Sequence, residues 1–261
     1  MDKNKIYRKK IVCGNWKMNH SHYEAVQTFQ QLKATLIEAD LTRVDVVVHP
    51  PFTSLRSLQT IFEAEKLGIF LGAQHCYFEK SGAYTGEISP EMLAKLHVSY
   101  VIVGHSERRT IFNQTDEIVN KTTKAILNSS MYPVVCVGES LEIRQAGTQE
   151  SFVESQVEAA FSGVKTELIK RAIVAYEPIW AIGTGNTATS EDAQLMCKTI
   201  RSKVRDLYDD DTSDLIRIVY GGSVNQDNAG LLCAETDIDG LLVGGASLDG
   251  VKFGNVVKAV I

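Results

Sequence analysis

No apolar run in these 261 residues approaches the roughly 18 needed to span a bilayer, so nothing points to a membrane partner. Cysteine is scarce and unpatterned: residues 13, 76, 136, 197 and 233 form no CxxC pair and are odd in number. That argues against a disulfide framework and against a zinc site, leaves no metal expected, and points to a reducing, cytoplasmic setting with small buried thiols. Excess positive charge is also missing. Lys and Arg total 27 against 32 Asp and Glu, a net charge of −5, which argues against nucleic acid as a partner. No Pro/Ser-rich linker or charge block divides the chain, so one domain is expected. The single basic cluster, Lys3, Lys5, Arg8, Lys9 and Lys10, lacks an apolar stretch and is not a secretory signal. Residues 1–10 are therefore expected to form a solvated, frayed N-terminal extension, with 11–261 as the folded domain.

What the chain does have is alternation. Short β-branched runs recur at Ile11–Cys13, Val44–Val48, Ile69–Leu71, Tyr100–Val103, Val134–Val137, Ala172–Tyr176, Ile216–Tyr220 and Ile238–Val243. Runs apolar on both faces suit parallel strands covered on both sides. Segments of helical period lie between most of them. Glu24, Val26, Phe29, Leu32, Leu36 and Ile37 trace one stripe, with Ser21 as its expected cap. Ala193, Met196, Ile200, Val204 and Leu207 trace another, after Thr189-Ser190-Glu191-Asp192 as a capping start. Eight strands alternating with helices predict an α/β fold, a single-domain (β/α)8 barrel with eight parallel strands, and the length agrees. The connection from Gln74 to Ser89 is long for a βα loop. An ordered loop of that length binds a ligand, a lid or a partner subunit, and disorder is the alternative reading.

Chemistry in such a barrel belongs at the C-terminal ends of its strands. Glu177 stands there after strand six, followed by Pro178, an apolar run and Gly183-Thr184-Gly185. Proline stiffens one end of this segment and glycine frees the other, as in a base attached to a lid; a solvated surface glutamate is the alternative. Lys17, in Gly14-Asn15-Trp16-Lys17-Met18-Asn19 after strand one, is either a cation aimed across the mouth or a surface lysine. His105, in Gly104-His105-Ser106-Glu107-Arg108-Arg109 after strand four, opens a helix whose backbone N–H groups disfavour an imidazolium. It is therefore expected to be neutral at pH 7, as an acid–base group or as a mere cap. Glu107 either pairs with Lys17 or only decorates a first helical turn. Tyr220-Gly221-Gly222-Ser223 and Val243-Gly244-Gly245 place paired glycines after strands seven and eight, where barrels often bind phosphate.

These five segments, in this order and spacing from about Ile11 to the C-terminus, resemble the triosephosphate isomerase family. The resemblance implies a glycolytic and gluconeogenic enzyme that interconverts dihydroxyacetone phosphate and D-glyceraldehyde 3-phosphate through an enediol(ate), with no cofactor. On that resemblance Glu177 moves the proton between neighbouring carbons, neutral His105 donates to the substrate oxygens, Lys17 stabilises negative charge and Asn15 orients the substrate. Ser106 and Glu107 support this set. The phosphate falls to Asn15, Lys17, Gly183, Ser223, Gly244 and Gly245, under a lid made of Pro178, Ile179, Trp180, Ala181, Ile182, Gly183, Thr184, Gly185 and Asn186. A homodimer is also implied, with the loop bearing His75, Thr85, Gly86 and Glu87 docked on the neighbouring subunit. One lysine about 4 Å from an anion contributes on the order of 4 kcal/mol before desolvation. That outweighs the chain's overall acidity, which salt screens beyond roughly 8 Å.

Two positions depart from the family pattern. Asn186 replaces a frequent lysine at the end of the lid, and His75 replaces a frequent asparagine in the interface loop. His75 is read as a polar packing residue, with a pH-sensing interface as the rival. Two other functions compete: a different phosphate-binding barrel enzyme, such as a sugar-phosphate epimerase or an indole glycerol phosphate type lyase, and a catalytically silent phosphate binder. The set of Lys17, His105 and Glu177 argues against both.

Overall fold

In a computed structural model, described here for residues 8–65, 68–182 and 188–261, eight strands close into a parallel barrel in sequence order. They are β1 (Lys10–Asn15), β2 (Val44–His49), β3 (Ile69–Ala73), β4 (Tyr100–Val103), β5 (Tyr132–Val137), β6 (Ile173–Tyr176), β7 (Arg217–Tyr220) and β8 (Gly240–Val243). The ring closes where β8 pairs with β1, Ile11 opposite Gly240 and Gly14 opposite Val243.

The two-sided apolar character of the strands has a direct structural cause. Alternate residues enter two separate cores. Ile11, Cys13, Val47, Ile102, Val134, Cys136, Ile173, Ala175, Val219 and Leu242 fill the barrel's interior. Their neighbours, such as Val12, Val46, Val101, Val135 and Val174, pack outward against the ring of helices. All five cysteines are free and buried. Among the described residues, no helix is long and apolar enough to cross a membrane.

The first expected helix forms over His22–Thr35 and is capped by Ser21 in a reciprocal box with Glu24. It buries Ala25, Thr28, Phe29 and Leu32. Its apolar stripe ends earlier than expected. Leu36 is the C-cap, and Ile37 lies beyond the helix with 62% of its surface exposed. A second short helix, Glu38–Arg43, follows at once, so the chain turns before Ile37 reaches the core face. The other stripe holds over Ser190–Leu207, where Thr189 accepts from the Asp192 N–H and Ala193, Met196, Ile200 and Val204 are buried.

Of the expected N-terminal extension, residues 1–7 lie outside the described residues, and residues 8–10 are held to the barrel. Lys10 opens β1, Lys9 pairs with Asp45 at 2.7 Å, and Arg8 pairs with Asp239 at 2.6 Å. The connection from Gln74 to Ser89 contains no helix or strand. Its base is closed by a bond from the Tyr77 N–H to the Ile88 carbonyl at 2.9 Å and by the contact of His75 Nε2 with Glu87 Oε2 at 3.2 Å.

Candidate active site

The strand ends bring the sequence's separated motifs to one mouth. A cavity of about 300 Å³ is lined by Asn15, Lys17, His105, Glu177, Ile182 and the glycine-rich turns after β7 and β8. Each side chain arrives there through its local backbone. Asn15 ends β1 and is buried, and its Oδ1 accepts the Lys17 N–H at 3.0 Å. Lys17 adopts a φ of +53°, which is rare for a residue with a side chain. Its Nζ meets Glu107 Oε1 at 2.7 Å, so the pairing across the mouth is present. That carboxylate offsets the lysine's charge at close range, and both side chains remain partly exposed.

Glu177 follows β6 and is only 2% exposed. Its own N–H bonds the Val137 carbonyl at 2.8 Å. Gly138 makes this approach possible: a Cβ there would run into the Glu177 carbonyl. The Gly138 N–H is held by Gln156 Oε1 at 2.8 Å. Of the carboxylate oxygens, Oε2 accepts the Ser106 N–H at 2.9 Å. Oε1 lies 2.9 Å from His105 Nε2 but makes no aligned hydrogen bond. Burial pushes the Glu177 carboxyl up, but His105, the Ser106 N–H and Lys17 outweigh it and leave the group below its ordinary value.

His105 is the N-cap of the short helix Ser106–Ile111, and its Nδ1 accepts the Glu107 N–H at 3.2 Å. That bond assigns the ring proton to Nε2, toward Glu177. The expectation of a histidine made neutral by a helix start is only partly met. Burial also pulls its pKa down, yet the Glu177 carboxylate, its contact with Nε2 and Glu107 raise it above the ordinary imidazole value. The buried carboxylate beside the ring was not legible from the motif.

The other expected residues fall in several places. Gly244 and Gly245 line the cavity, Gly244 alongside the Lys17 side chain and Gly245 facing open space. Ser223 also lines it and is exposed. Pro178 leads into a single turn, Ile179–Ala181, and Ile182 reaches the cavity wall. Gly183, Thr184, Gly185 and Asn186, expected in the phosphate site and the lid, lie outside the described residues. In the single chain, Thr85, Gly86 and Glu87 lie in an exposed segment of the long loop, apart from the cavity. His75 is buried. Burial, then Arg108, pushes it down to about 4 against the opposing pull of Glu87, a direction that favours the neutral ring.

Sequence reasoning passed over Glu139. It is fully buried two residues past β5, and its Oε1 accepts the Tyr176 hydroxyl at 3.0 Å and the Trp180 Nε1–H at 2.8 Å. It thus ties the residue before Glu177 to the segment after it. The signal was present, since a carboxylate just past a strand end is what singled out Glu177. His49, at the end of β2, was also missed: it is fully buried with neither ring nitrogen hydrogen-bonded.

Comparison with known proteins agrees with this geometry. A family model described as triosephosphate isomerase matches residues 10–260. A protein named triosephosphate isomerase from Saccharopolyspora erythraea is 48% identical over 246 residues, covering 94% of each chain. One of the same name from Corynebacterium efficiens is 49% identical over 246 residues, again 94% of each chain. Another from Streptomyces avermitilis is 47% identical over 251 residues, 96% of this chain and 97% of its own.

Proposed function

Because this chain belongs to the triosephosphate isomerase family, we propose that its barrel mouth interconverts dihydroxyacetone phosphate and D-glyceraldehyde 3-phosphate. It is an intramolecular aldose–ketose isomerase, and the reaction places it in glycolysis and gluconeogenesis. The observation that carries the assignment of roles is the buried carboxylate of Glu177, held ionised beside a histidine whose proton sits on Nε2.

In this reading the substrate's carbonyl end enters between Glu177 and His105. Glu177 gives up the Ser106 N–H, turns its carboxylate to the carbon next to the carbonyl, takes a proton and returns it to the neighbouring carbon. A desolvated base held close to a weak carbon acid suits that task. Displacing the carboxylate from His105 removes the charge that raises the ring's proton affinity. The Glu107 N–H still occupies Nδ1, so the ring acts as a neutral donor from Nε2 to the oxygens of the enediolate. Asn15 orients those oxygens. Lys17 balances charge on the enediolate and the phosphate, with Glu107 and Ser106 supporting it and the base.

Backbone N–H groups of Gly183, Ser223, Gly244 and Gly245 hold the phosphate, together with the Ser223 hydroxyl. The segment from Pro178 to Asn186 closes over it. Water exclusion then keeps the enediol phosphate from losing its phosphate group.

A coupled assay with D-glyceraldehyde 3-phosphate on wild type and Glu177→Gln tests these roles. Wild-type turnover is expected, with the variant slowed roughly 10²–10⁴-fold; an inactive, folded wild type sinks the assignment.

The working form is a homodimer. The exposed run from residue 81 to Glu87 and the aromatic residues Tyr77 and Tyr84, in contact with ring centroids 4.7 Å apart, form a projecting feature suited to a second copy. Thr85 would sit near the partner subunit's Asn15 and Lys17. Activity should therefore collapse on dilution as light scattering reports the change from dimer to monomer. Full activity in monomer would remove the partner from the mechanism. Five free, buried thiols support a reducing, cytoplasmic location.

A further inference from the structure

Lys17 brings the mouth its cation on a backbone that most residues avoid. A non-glycine φ of +53° costs free energy and persists only where the surroundings hold it. Three groups do so. The Lys17 N–H donates to Asn15 Oδ1 at 3.0 Å, and Nζ pairs with Glu107 at 2.7 Å. The third bond comes from outside the residues already given roles: Gln74 Nε2 donates to the Lys17 carbonyl at 2.8 Å.

Gln74 stands just past β3, at the foot of the long loop. Its amide nitrogen carries two hydrogens and uses both. The second goes to the His49 carbonyl at 2.9 Å, at the end of β2. That carbonyl also accepts the Trp16 N–H at 3.1 Å. One planar –NH2 group therefore clamps the turn after β1 to the end of the neighbouring strand, on both sides of the strained residue. Few side chains can replace it. A carboxylate of the same length would set lone pairs against two carbonyls, a thioether offers no donor, and asparagine is one methylene short.

We propose that Gln74 is a positioning residue for the cation: by holding the Lys17 carbonyl it fixes the left-handed backbone that aims Nζ at the phosphate-bearing substrate. This rests on the isomerase reading, in which Lys17 faces that substrate. Because Gln74 acts through Lys17, its removal should show in anion binding and catalysis more than in folding.

The experiment is a double-mutant cycle in the full-length dimer with Gln74→Met, Lys17→Met and both together. Inorganic phosphate serves as a competitive inhibitor, D-glyceraldehyde 3-phosphate as substrate, and thermal midpoint and light scattering report fold and assembly. For Gln74→Met, the phosphate inhibition constant should rise and kcat/KM should fall, each roughly 10- to 100-fold, with the dimer intact. In the Lys17→Met background the same change should alter phosphate inhibition by less than about twofold, since the group it positions is gone. If Gln74→Met fails to fold, Gln74→Asn, which draws the amide back by one methylene, carries the same cycle. A single variant within about twofold of wild type, or losses that multiply in the double variant, overturns the proposal. An active wild type with an unaffected Gln74 variant sinks only this inference; an inactive wild type sinks the isomerase reading itself.

Discussion

The two ends of the barrel treat buried charge in opposite ways. At the N-terminal end the buried charges among the described residues are paired. Arg201 meets Asp237 at 2.6 Å and Asp239 at 2.7 Å and donates to the carbonyls of Ser213 and Ile216. Asp239 also takes Arg8 and the Ile218 N–H. Inside the barrel, Asp45 is shared by Lys9 and Arg217, each at 2.7 Å. At the C-terminal end, Glu177 Oε1, Glu139 Oε2 and both ring nitrogens of His49 are buried without a hydrogen-bond partner. Satisfied networks hold a structure in place, whereas groups left wanting at one end of a rigid frame are available for chemistry. Stability and reactivity thus occupy opposite ends of the same eight strands.

Three substitutions can break or sharpen that contrast. The largest effect is expected at the mouth. Glu177→Gln should lower kcat roughly 10²–10⁴-fold, the range for removing a general base, with no loss of denaturant stability. Because the carboxylate is what raises His105, the same variant should move that ring's titration down in an imidazole 15N NMR series. An unmoved titration would mean the two groups do not share charge.

At the other end the pattern should invert. Arg201→Met leaves Asp237 buried without its cation and Asp239 with Arg8 alone, and should cost about 3–5 kcal/mol in urea unfolding. Turnover per folded site should be unchanged. A large kcat effect would erase the division between the two ends.

The smallest effect concerns His49, which burial pushes down to about 3 from an ordinary 6.5. Between those values the unfolded chain binds a proton that the folded chain does not. Stability should therefore fall as pH drops from 6.5 toward 3, by at most about 1.4 kcal/mol per pH unit from this residue. His49→Leu should remove that part of the slope. Equal slopes for variant and wild type in unfolding at pH 5 and 7 would show that the ring is not held neutral.

Much of this arrangement was legible in the chain because barrel strands declare themselves on both faces. Tyr100–Val103 was located to the residue, and the other strand runs were placed within about two residues at either end. The Lys17–Glu107 pairing could be anticipated because both residues sit in recognisable motifs at strand ends. What stayed hidden depends on contacts between lone residues. Gln74 acts on a carbonyl 57 positions away, and Glu139 reaches Trp180 across 41. Neither carries a pattern of neighbours that marks its partner. Ile37 misled for the opposite reason: a residue in phase with a helical stripe joins it only if the helix lasts long enough. The charge state of His105 depended on a side-chain contact between two strands' loops, which local capping logic does not contain.

Gly138 gives the mouth a different kind of constraint. Its neighbour across the β5–β6 boundary is the main chain of Glu177, and any side-chain carbon would displace it. In genetic terms position 138 should be as intolerant of replacement as position 177, though it contributes no functional group and never meets the substrate. An inventory of reactive atoms would omit it, while a census of lethal substitutions would place it beside the base.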